Sequence, residues 1–544
     1  MLTTGPHRSP TLFFWQKQFD GVFTYNKSIG FHNFQAKAGF AYFDRQNYVA
    51  SASGRGAASD LIPTLNASAE PVAVSSSASQ QLILGYFGRM TYDYDKKYLF
   101  SLSARYDGAS NLGANNYWGF FPGISAGWNV HREDFWAGVP STISSLKLRT
   151  SYGVNGNIGN LSDFHAQGLY SVGNRYNDLA AIQNNRMANQ DLRWERSTTV
   201  NLGFDMGLFN NKLNMTFDYY NRLTNDLLTN LELPQSTGFS SILTNLGSLR
   251  NEGVELELGA TIMQKKDFSW DMSVIAAYNI NTVVRLPEND NENNRIGGVF
   301  VYDPVLGQYV WRGGLQEGQR IGQMFAYQYE GVYATDEEAA NAPIDILVPG
   351  NDKRKFGGDV RWADLDRNDT IDSRDRVYAG NIFPKWTGGF HNTFNYKRLS
   401  LTVRTDFALG HTIYHETRAR FNGQYQGDIG ILQETTQSWQ NQGDQTPFPR
   451  YMWADQLAQN NSFRGSTFFH EPGDYLAIRE VTLSYSLPTA ILNRLKIPSM
   501  RAYFTGSNLF YFTKYTGLNP EEGGTDAGRY PIPRSFLMGV NINF

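Results

Sequence analysis

The stretch LILGYFGRMTYDYDKKYLFSLSARYDG, residues 82–108, decides the fold because its side chains alternate in character. Apolar residues share one face on both sides of the centre: Leu84, Tyr86, Met90 and Tyr92 before it, and Tyr98, Phe100, Leu102 and Ala104 after it. Polar residues share the other face: Arg89, Thr91, Asp93, Ser101, Ser103 and Arg105. A period of two indicates a β-strand with one apolar side. The segment therefore predicts two strands joined by a tight turn at Asp95 and Lys96.

The same hairpin pattern recurs along the chain. It is found in residues 199–222 with a turn at Asn210 and Asn211, in 253–281 around 265–267, and in 387–409 around Lys397 and Arg398. Asparagine tolerates the positive φ that short hairpin turns need. The chain ends on SFLMGVNINF, in which one face is apolar throughout (Phe536, Met538, Val540, Ile542 and Phe544) and the other carries Leu537, Gly539, Asn541 and Asn543. In all, about 15–17 strands are predicted, the count being open between residues 284 and 335.

Long polar segments separate these hairpins. They are rich in Asn, Gly, Ser and Asp and cover residues 46–81, 154–197, 224–250, 284–320 and 411–472. Several exceed the roughly 12–15 residues that unstructured loops reach in compact domains. Short turns that alternate with long loops are typical of outer-membrane barrels, in which the short turns are periplasmic.

The charged residues on the polar face of the strands help to distinguish a membrane barrel from a soluble β-sandwich. Lys147 and Arg149 alternate with leucines in LKLRTSYG, and Glu255 and Glu257 do so in GVELEL. In a soluble sandwich the apolar faces pack together, whereas in a membrane barrel they face lipid and a polar lumen accepts charge. The fold we predict is an all-β, large antiparallel transmembrane β-barrel in outer-membrane lipid, here a partial barrel of about 15–17 strands. A large soluble all-β protein is the alternative.

Composition excludes several functions and leaves the membrane open. The 544 residues carry a formal net charge of −3, so no nucleic-acid surface is expected. Cysteine is absent, which removes disulfides and thiolate chemistry. No run of 18 apolar residues occurs, but barrel strands do not need one. The opening MLTTGPHRSP lacks the regions of a secretory signal, so either the chain is not exported or its true beginning is missing.

Several spaced segments resemble, in order, the C-terminal barrel half of SusC/RagA-like TonB-linked outer-membrane transporters. They are LKLRTSYGVNGN (146–157), WERSTTVNLGFDMGLFNNKLNMTFDYYNRLTNDLL (194–228), LGSLRNEGVELEL (246–258), DFSWDMSVIAAYN (267–279), DLDRNDTIDSRDRVYAGNIFPKWTGGFHNTFNYKRLSL (364–401), YLAIREVTLSYSLP (475–488) and NLFYFTKYTGLNPE (508–521). The resemblance covers nearly the whole chain, and the last ten residues look like the terminal strand that the barrel assembly machinery reads.

The resemblance implies a 22-stranded barrel with an N-terminal plug, a SusD-like surface lipoprotein as a hinged lid, and uptake of an oligosaccharide or peptide driven through the TonB complex. The sequence departs from this pattern at its front, where no plug, no TonB-contacting segment and too few strands are found. Residues 1–544 are therefore expected to be the C-terminal part of one outer-membrane barrel domain, without the plug and the first strands. A non-transporting surface barrel for ligand binding or adhesion is the alternative function. A soluble hydrolase is disfavoured because no catalytic dyad or triad can be assembled.

The best chemical motif is DLDRNDTIDSRD, from Asp364 to Asp375. Oxygen ligands fall at positions 1, 3, 5, 7, 9 and 12 of a calcium loop: Asp364, Asp366, Asn368, the Thr370 carbonyl, Asp372 and Asp375. Asp369 replaces the turn glycine of such loops, and Asp375 replaces the longer glutamate. A structural calcium ion is one interpretation, and a solvated acidic turn held by side-chain to backbone hydrogen bonds is the other.

Four further patterns suggest little chemistry. GISAG (123–127) matches a hydrolase nucleophile motif, but it continues as a strand and lacks the required elbow. HTIYHE places His411, His415 and Glu416 near each other, although a zinc site generally needs a fourth ligand and a polar loop entrance is favoured. The acidic run 336–338 is interpreted as a solvated loop face, and residues 487–500 as a short amphipathic helix. Suggested substrate contacts are Trp311, Arg312, Tyr425 and Trp439.

Overall fold

The computed structural model describes residues 7–57, 61–62, 64–159, 161–177, 179–423, 430–452, 459, 461 and 464–543. Fifteen long strands follow one another in the sheet in the order of the sequence. They are β1 (His7–Ile29), β2 (His32–Ala57), β3 (Ser68–Tyr94), β4 (Tyr98–Ala109), β5 (Trp118–Asn129), β6 (Ile143–Asn157), β7 (Glu195–Leu208), β8 (Leu213–Asn225), β9 (Ser248–Gln264), β10 (Phe268–Arg285), β11 (Trp386–Tyr396), β12 (Leu399–Leu409), β13 (Tyr475–Ser486), β14 (Ser499–Thr513) and β15 (Ser535–Asn543). The number lies within the predicted range.

The predicted tight turns are confirmed. Asp95 and Lys96 between β3 and β4 both have φ of 51°, and Asn210 and Asn211 between β7 and β8 have φ of 58° and 61°. These values fall in the left-handed region that such turns use. The connection between β13 and β14 contains a helix, as predicted for residues 487–500.

The first of two compact units comprises Met1–Gly138, Lys147–Leu202 and Tyr220–Arg250. Its strands β1 to β6 pair antiparallel with their sequence neighbours. The β2–β3 ladder runs from His32↔Tyr94 to Ala57↔Ser68, so the prediction of a loop over 46–81 is wrong for most of that range. Backbone hydrogen bonds continue a ladder whatever the side chains are, and here small polar residues such as Ser51 and Ser75 face each other.

The apolar face of this unit is exposed in the part of the chain that the structure describes. Phe100 is 51% exposed and Leu102 is 53% exposed, although both lie in the middle of the ladder. A soluble sandwich would bury such side chains against a second sheet. The bare apolar face therefore argues against the soluble alternative and suits contact with lipid.

The second unit comprises Val139–Leu146, Gly203–Tyr219 and Asn251–Phe544. Within it, β10 to β15 pair antiparallel in chain order. Phe536 and Met538 of the terminal strand are exposed, as the alternating pattern predicts for a lipid-facing side. Phe544, which completes that pattern, lies outside the described residues.

Shorter strands occupy the segments that the sequence interprets as long loops. Their pairs are Leu169–Tyr176 with Leu179–Arg186, Leu228–Glu232 with Ser241–Asn245, Val299–Asp303 with Gln308–Arg312, Gln323–Tyr327 with Arg376–Asn381, Tyr329–Val332 with Val360–Trp362, Ile344–Asp345 with Thr370–Ile371, and Thr412–Tyr414 with both His470–Pro472 and Gly524–Thr525. The candidate strands between 284 and 335 thus belong to small sheets and not to the fifteen.

The helices of the described chain are short. The α-helices are α1 (Asp336–Ala339), α2 (Glu416–Gly423) and α3 (Thr489–Leu495). Single 3₁₀ turns lie at Leu65–Ala67, Val130–Arg132, Asp134–Gly138, Gln235–Thr237, Glu292–Asn294, Gln433–Gln437 and Thr467–Phe469. In the part of the chain that is described, no helix has the length and apolar character needed to cross a membrane.

Candidate functional site

The connections of the second unit form what we call the loop assembly, residues 286–385, 410–474 and 514–534. These segments join β10 to β11, β12 to β13 and β14 to β15. The β10–β11 register starts with Phe268 opposite Tyr396, next to the short turns, and ends with Tyr278 opposite Trp386. The loop assembly therefore lies at the end of the sheet opposite the short turns.

An apolar cluster and buried ion pairs hold the loop assembly together. Tyr327, Val360, Trp362 and Ile371 form the buried cluster. Beside it, the Asp345 carboxylate pairs with Lys355 Nζ at 2.9 Å and with Arg464 Nη2 at 2.9 Å, and all three side chains are buried. Burial lowers the pKa of Lys355, and the adjacent Asp345 carboxylate opposes that shift. Charges taken out of water in this way are tolerated only when they are paired.

A second buried carboxylate joins three further segments. Asp359 accepts hydrogen bonds from Asn461 Nδ2 at 2.8 Å and from the Phe356 amide at 2.9 Å, and it pairs with Arg450 at 2.8 Å. The Asn461 side-chain carbonyl in turn accepts from the Val360 amide. Residues more than a hundred positions apart are thus fixed to each other, and the loop assembly is a packed structure and not a set of separate loops.

The predicted calcium loop brings three of its six candidate ligands together. One carboxylate oxygen each from Asp364, Asp366 and Asp375 lies within 4.8 Å of the other two. Burial raises the pKa of the Asp375 carboxyl to about 6, although the amides of Leu365 and Asp372 donate to it. Burial also raises the pKa of Asp364. Asp369 adopts φ of 60°, which is the left-handed backbone expected at the position of the turn glycine.

The other three candidates have different local roles. The Asp372 carboxylate accepts from the Arg374 amide at 2.7 Å and from its Nε at 2.8 Å. Asn368 donates through Nδ2 to Asp366, and Thr370 pairs with Ile344 in a short parallel ladder. Asp372 is therefore neutralised by an arginine in this structure, whereas Asp364, Asp366 and Asp375 converge without a basic partner among the described residues.

A cleft of about 490 Å³ opens beside this loop. It lies between the hairpin 299–312 and the strand Arg376–Asn381. Its lining combines aromatic rings, guanidinium groups and amides: Tyr302, Asp303, Arg312, Gln319, Gln323, Phe325, Arg376 and Tyr378. The volume falls within the range of about 300–1,000 Å³ usual for small-molecule sites, and a mixed lining of this kind can fix a ligand's orientation.

Of the four residues suggested as substrate contacts, only Arg312 lines the cleft in the described structure. Arg312 lines the cleft and pairs with Asp303 at 2.8 Å, which lowers the pKa of that carboxyl. Trp311 lies under the Arg295 guanidinium at 3.3 Å, outside the cleft lining. Trp439 donates through Nε1 to the Ala334 carbonyl at 2.9 Å and so joins two parts of the loop assembly. Tyr425 lies outside the described residues.

The histidines of HTIYHE do not lie at a polar entrance, so that interpretation is wrong. Both are buried: His411 contacts the Pro520 carbonyl through Nε2 at 2.9 Å, while His415 Nδ1 lies 3.3 Å from Glu471. The two histidines flank the short strand Thr412–Tyr414, and each contacts different residues. Burial opposes ionisation of Glu471, yet hydrogen bonds from His415 and Thr516 outweigh it and lower its pKa to about 2.

The remaining motifs have structural roles. Ser125 lies inside β5, opposite Ser101 and Ser151, so GISAG continues as a strand as predicted. The acidic run lies on α1, where Thr335 caps the Glu338 amide and the Glu338 carboxylate accepts from the Ala334 amide. This arrangement resembles a capping box and accounts for the run without catalysis.

The cleft residues Phe325, Arg376 and Tyr378 were not identified from the sequence. A signal was present, since Arg376 and Tyr378 stand two apart in a short strand and must share a face. The sequence pattern could not show that Phe325 is the cross-strand partner of Tyr378, because Phe325 is some fifty residues away and pairs with Tyr378 only in the folded ladder.

Comparison with known proteins agrees with this architecture. The family described as TonB dependent receptor-like, beta-barrel, matches residues 3–345. TonB-dependent receptor P3 of Formosa agariphila is 31% identical over 547 residues, covering 96% of this chain and 52% of the relative. TonB-dependent receptor SusC of Bacteroides thetaiotaomicron is 29% identical over 489 residues, covering 86% of this chain and 44% of the relative. The chain thus spans about half the length of these curated relatives.

A solved structure supports the fold independently. The structure of the RagAB peptide transporter superimposes with a TM-score of 0.81 at 24% identity, covering 99% of this chain and 56% of that chain. The alternating strands, bare apolar faces and packed loop assembly define an outer-membrane β-barrel protein of the receptor class. The chain belongs to the TonB-dependent receptor-like β-barrel family, and it is similar in sequence to the relative named SusC. Its location is the outer membrane.

Proposed function

We propose that this chain is the barrel part of a receptor that takes up oligosaccharides or peptides across the outer membrane. Uptake would draw on the TonB complex and on a SusD-like surface lipoprotein. The observation that carries the proposal is the loop assembly, a packed and ion-paired structure at the end of the sheet opposite the short turns. It is supported by family membership and by the relative named SusC. The peptide alternative reflects the fold neighbour described as a peptide transporter.

A rigid loop assembly suits capture because a preorganised surface loses little entropy when a ligand binds. The buried carboxylates Asp345 and Asp359 each join segments more than a hundred residues apart. The polar face of the strands supplies a path along which a hydrophilic ligand can move. An adhesion or binding barrel would use the same surface but would need no energy coupling.

Uptake measurements in the native host separate these two functions. Deletion of the coding region is expected to abolish energy-dependent accumulation of labelled oligosaccharides or peptides, and an uncoupler should abolish it in the parent strain. Asp345→Ala should reduce uptake, whereas Arg354→Ala, which removes an exposed ion pair, should not. Retained surface binding with no energy-dependent accumulation in the parent strain would favour the adhesion alternative and overturn transport.

We also propose that Asp364, Asp366 and Asp375 hold a structural calcium ion. Oxygens bound to one calcium at about 2.3–2.6 Å lie at most about 5 Å apart, and the three carboxylates meet this condition. The ion would add positive charge where burial disfavours ionised carboxylates. It would also fix the strand Thr370–Ile371 against Ile344–Asp345, at the centre of the loop assembly.

Calorimetric titration of the detergent-solubilised chain tests this site. We expect one calcium per chain, and Asp364→Asn should weaken binding by about tenfold or more because one charged ligand is lost. Asp352→Asn is the matched control, since its carboxylate forms an exposed pair with Arg354 outside the cluster. Equal calcium binding by the parent and the Asp364→Asn variant, or none by either, would show that the loop is only an acidic turn.

A further inference from the structure

The lining of the cleft between the hairpin 299–312 and the strand Arg376–Asn381 contains two arginines, Arg312 and Arg376, and one carboxylate, Asp303. Asp303 is paired with Arg312, and Arg374 with Asp372. Arg376 has no such partner: among the described residues no carboxylate forms an ion pair with it. Its guanidinium lies 5.1 Å from the centre of the Tyr327 ring, a cation–π contact that holds it at the cleft wall.

The aromatic lining supplies a flat apolar surface next to this charge. Tyr378 is 55% exposed, two residues beyond Arg376 on the same strand, so the two side chains share a face. The Phe325 ring meets the Tyr378 ring edge to face, with 5.9 Å between their centres. Tyr302, Gln319 and Gln323 also line the cleft.

We infer that this cleft binds an acidic sugar unit, with Arg376 holding its carboxylate and Tyr378 and Phe325 contacting the apolar face of its ring. A guanidinium presents two parallel N–H groups that match a carboxylate. The amide group of Gln323 suits ring hydroxyls, which both donate and accept. The inference rests on the proposed uptake function, within which it selects the oligosaccharide class and a charged member of that class.

The backbone around the cleft favours a sugar over a peptide. Extended peptides commonly bind by adding a strand to a free sheet edge. Here the strand Arg376–Asn381 pairs with Gln323–Tyr327 on one side. On the other side the Tyr302 amide donates to the Arg374 carbonyl at 3.0 Å, so the hairpin contacts the backbone just before that edge begins. The cleft offers mainly aromatic, guanidinium and amide side chains, which suit a ligand without a repeating amide.

Calorimetry on the full chain in detergent tests the inference. The probes are trisaccharides of galacturonate, glucuronate and mannuronate, their neutral hexose counterparts, and a tripeptide with a free carboxylate. We expect at least one uronate trisaccharide to bind more tightly than its neutral counterpart, with affinity falling as salt rises. Arg376→Gln should weaken uronate binding by about ten- to hundredfold, the usual effect of losing a charged hydrogen bond, and leave neutral binding unchanged.

Further variants separate recognition from folding. Arg376→Lys keeps the positive charge but loses the two parallel N–H donors of the guanidinium, so its affinity for uronate should lie between those of the parent and Arg376→Gln. Tyr378→Phe should bind as the parent does, while Tyr378→Ala should lose the ring contact and bind several-fold more weakly. Arg361→Gln is the matched control, because Arg361 is an arginine of the same loop assembly that pairs with Glu338 and does not line the cleft.

Each contrary outcome overturns a defined part of the inference. Equal affinity for uronate and neutral sugars, or no effect of Arg376→Gln, would remove the charge assignment. Preference for the tripeptide would replace the sugar class, and absence of binding to every sugar would remove the site. Energy-dependent uptake in the host alongside any of these results would leave the proposed function standing. Uronate binding without energy-dependent uptake would leave the cleft inference standing and overturn the proposed uptake function.

Discussion

Replacing Asp345 with alanine is expected to destabilise the loop assembly by about 3–5 kcal/mol, the usual cost of leaving a buried charge without its partner. Asp345 is fully buried and neutralises both Lys355 and Arg464, which are themselves buried. Without the carboxylate two cations face each other in a dry site. Burial already lowers the pKa of Lys355, so this lysine is expected to lose its proton in the variant.

Hydrogen exchange measures this effect locally. Amides of residues 344–348 and 464–466 should exchange much faster in Asp345→Ala, while those of β11 and β12 should be unchanged. Arg354→Ala is the control because its pair with Asp352 is exposed, and such pairs contribute about 1 kcal/mol or less. If both variants changed exchange equally little, the buried ion pairs would not be what organises the loop assembly.

Replacing Leu102 with arginine is expected to destabilise the membrane-inserted chain by about 2–4 kcal/mol, the cost of arginine on the lipid face near the bilayer centre. Leu102 is half exposed on the apolar face of β4. It stands four residues beyond Tyr98 at the turn, which places it about 10 Å deeper along a tilted strand. Hydrocarbon at that depth offers the guanidinium no hydrogen bonds.

The adjacent residue provides a matched control. Ser101 points to the opposite face and lines a polar recess of about 370 Å³ together with Asp93 and Ser125. Ser101→Arg should therefore cost less than about 1 kcal/mol. The readout is the temperature at which the folded band in outer-membrane extracts converts to the unfolded band in SDS. Equal losses for the two variants, or a larger loss for Ser101→Arg, would contradict the assignment of the apolar face to lipid.

The strands and short turns were predictable because local patterns determine them. Alternation in 82–108 predicted β4 and the second half of β3, and Asp95, Lys96, Asn210 and Asn211 supplied the left-handed turn positions. These features need only neighbouring residues. The apolar residues of the terminal strand followed the same rule.

The long polar segments were harder because polarity does not exclude a ladder. Residues 46–57 and 68–81 are strand, although their serines and alanines show no apolar period. In the loop assembly the decisive contacts join distant residues, as between Asp345 and Arg464, which are 119 positions apart. A sequence pattern contains no signal for such a pair until folding brings the two side chains together.

Only some residues of the acidic motif, Asp364 to Asp375, lie where the spacing of a calcium loop would put ligands. Positions 1, 3 and 12 converge, and Ile371 at position 8 is buried in the apolar cluster. Asp372 at position 9 instead accepts a hydrogen bond from Arg374, which lies two residues further along and is not one of the ligand positions of a calcium loop. Spacing therefore predicted the turn, while the competing arginine became evident only from the side-chain contacts.

Site-specific labelling of intact cells tests the central claim that the chain spans the outer membrane with its loop assembly outside. The chain contains no cysteine, so single substitutions give an unambiguous signal. Val305→Cys lies at the exposed tip of the hairpin 299–312, and Lys266→Cys lies in the short turn between β9 and β10. With a maleimide too large to cross porins, Val305→Cys should label on intact cells and Lys266→Cys only after the outer membrane is permeabilised. Labelling of Lys266→Cys alone on intact cells, or of both variants, would contradict the account.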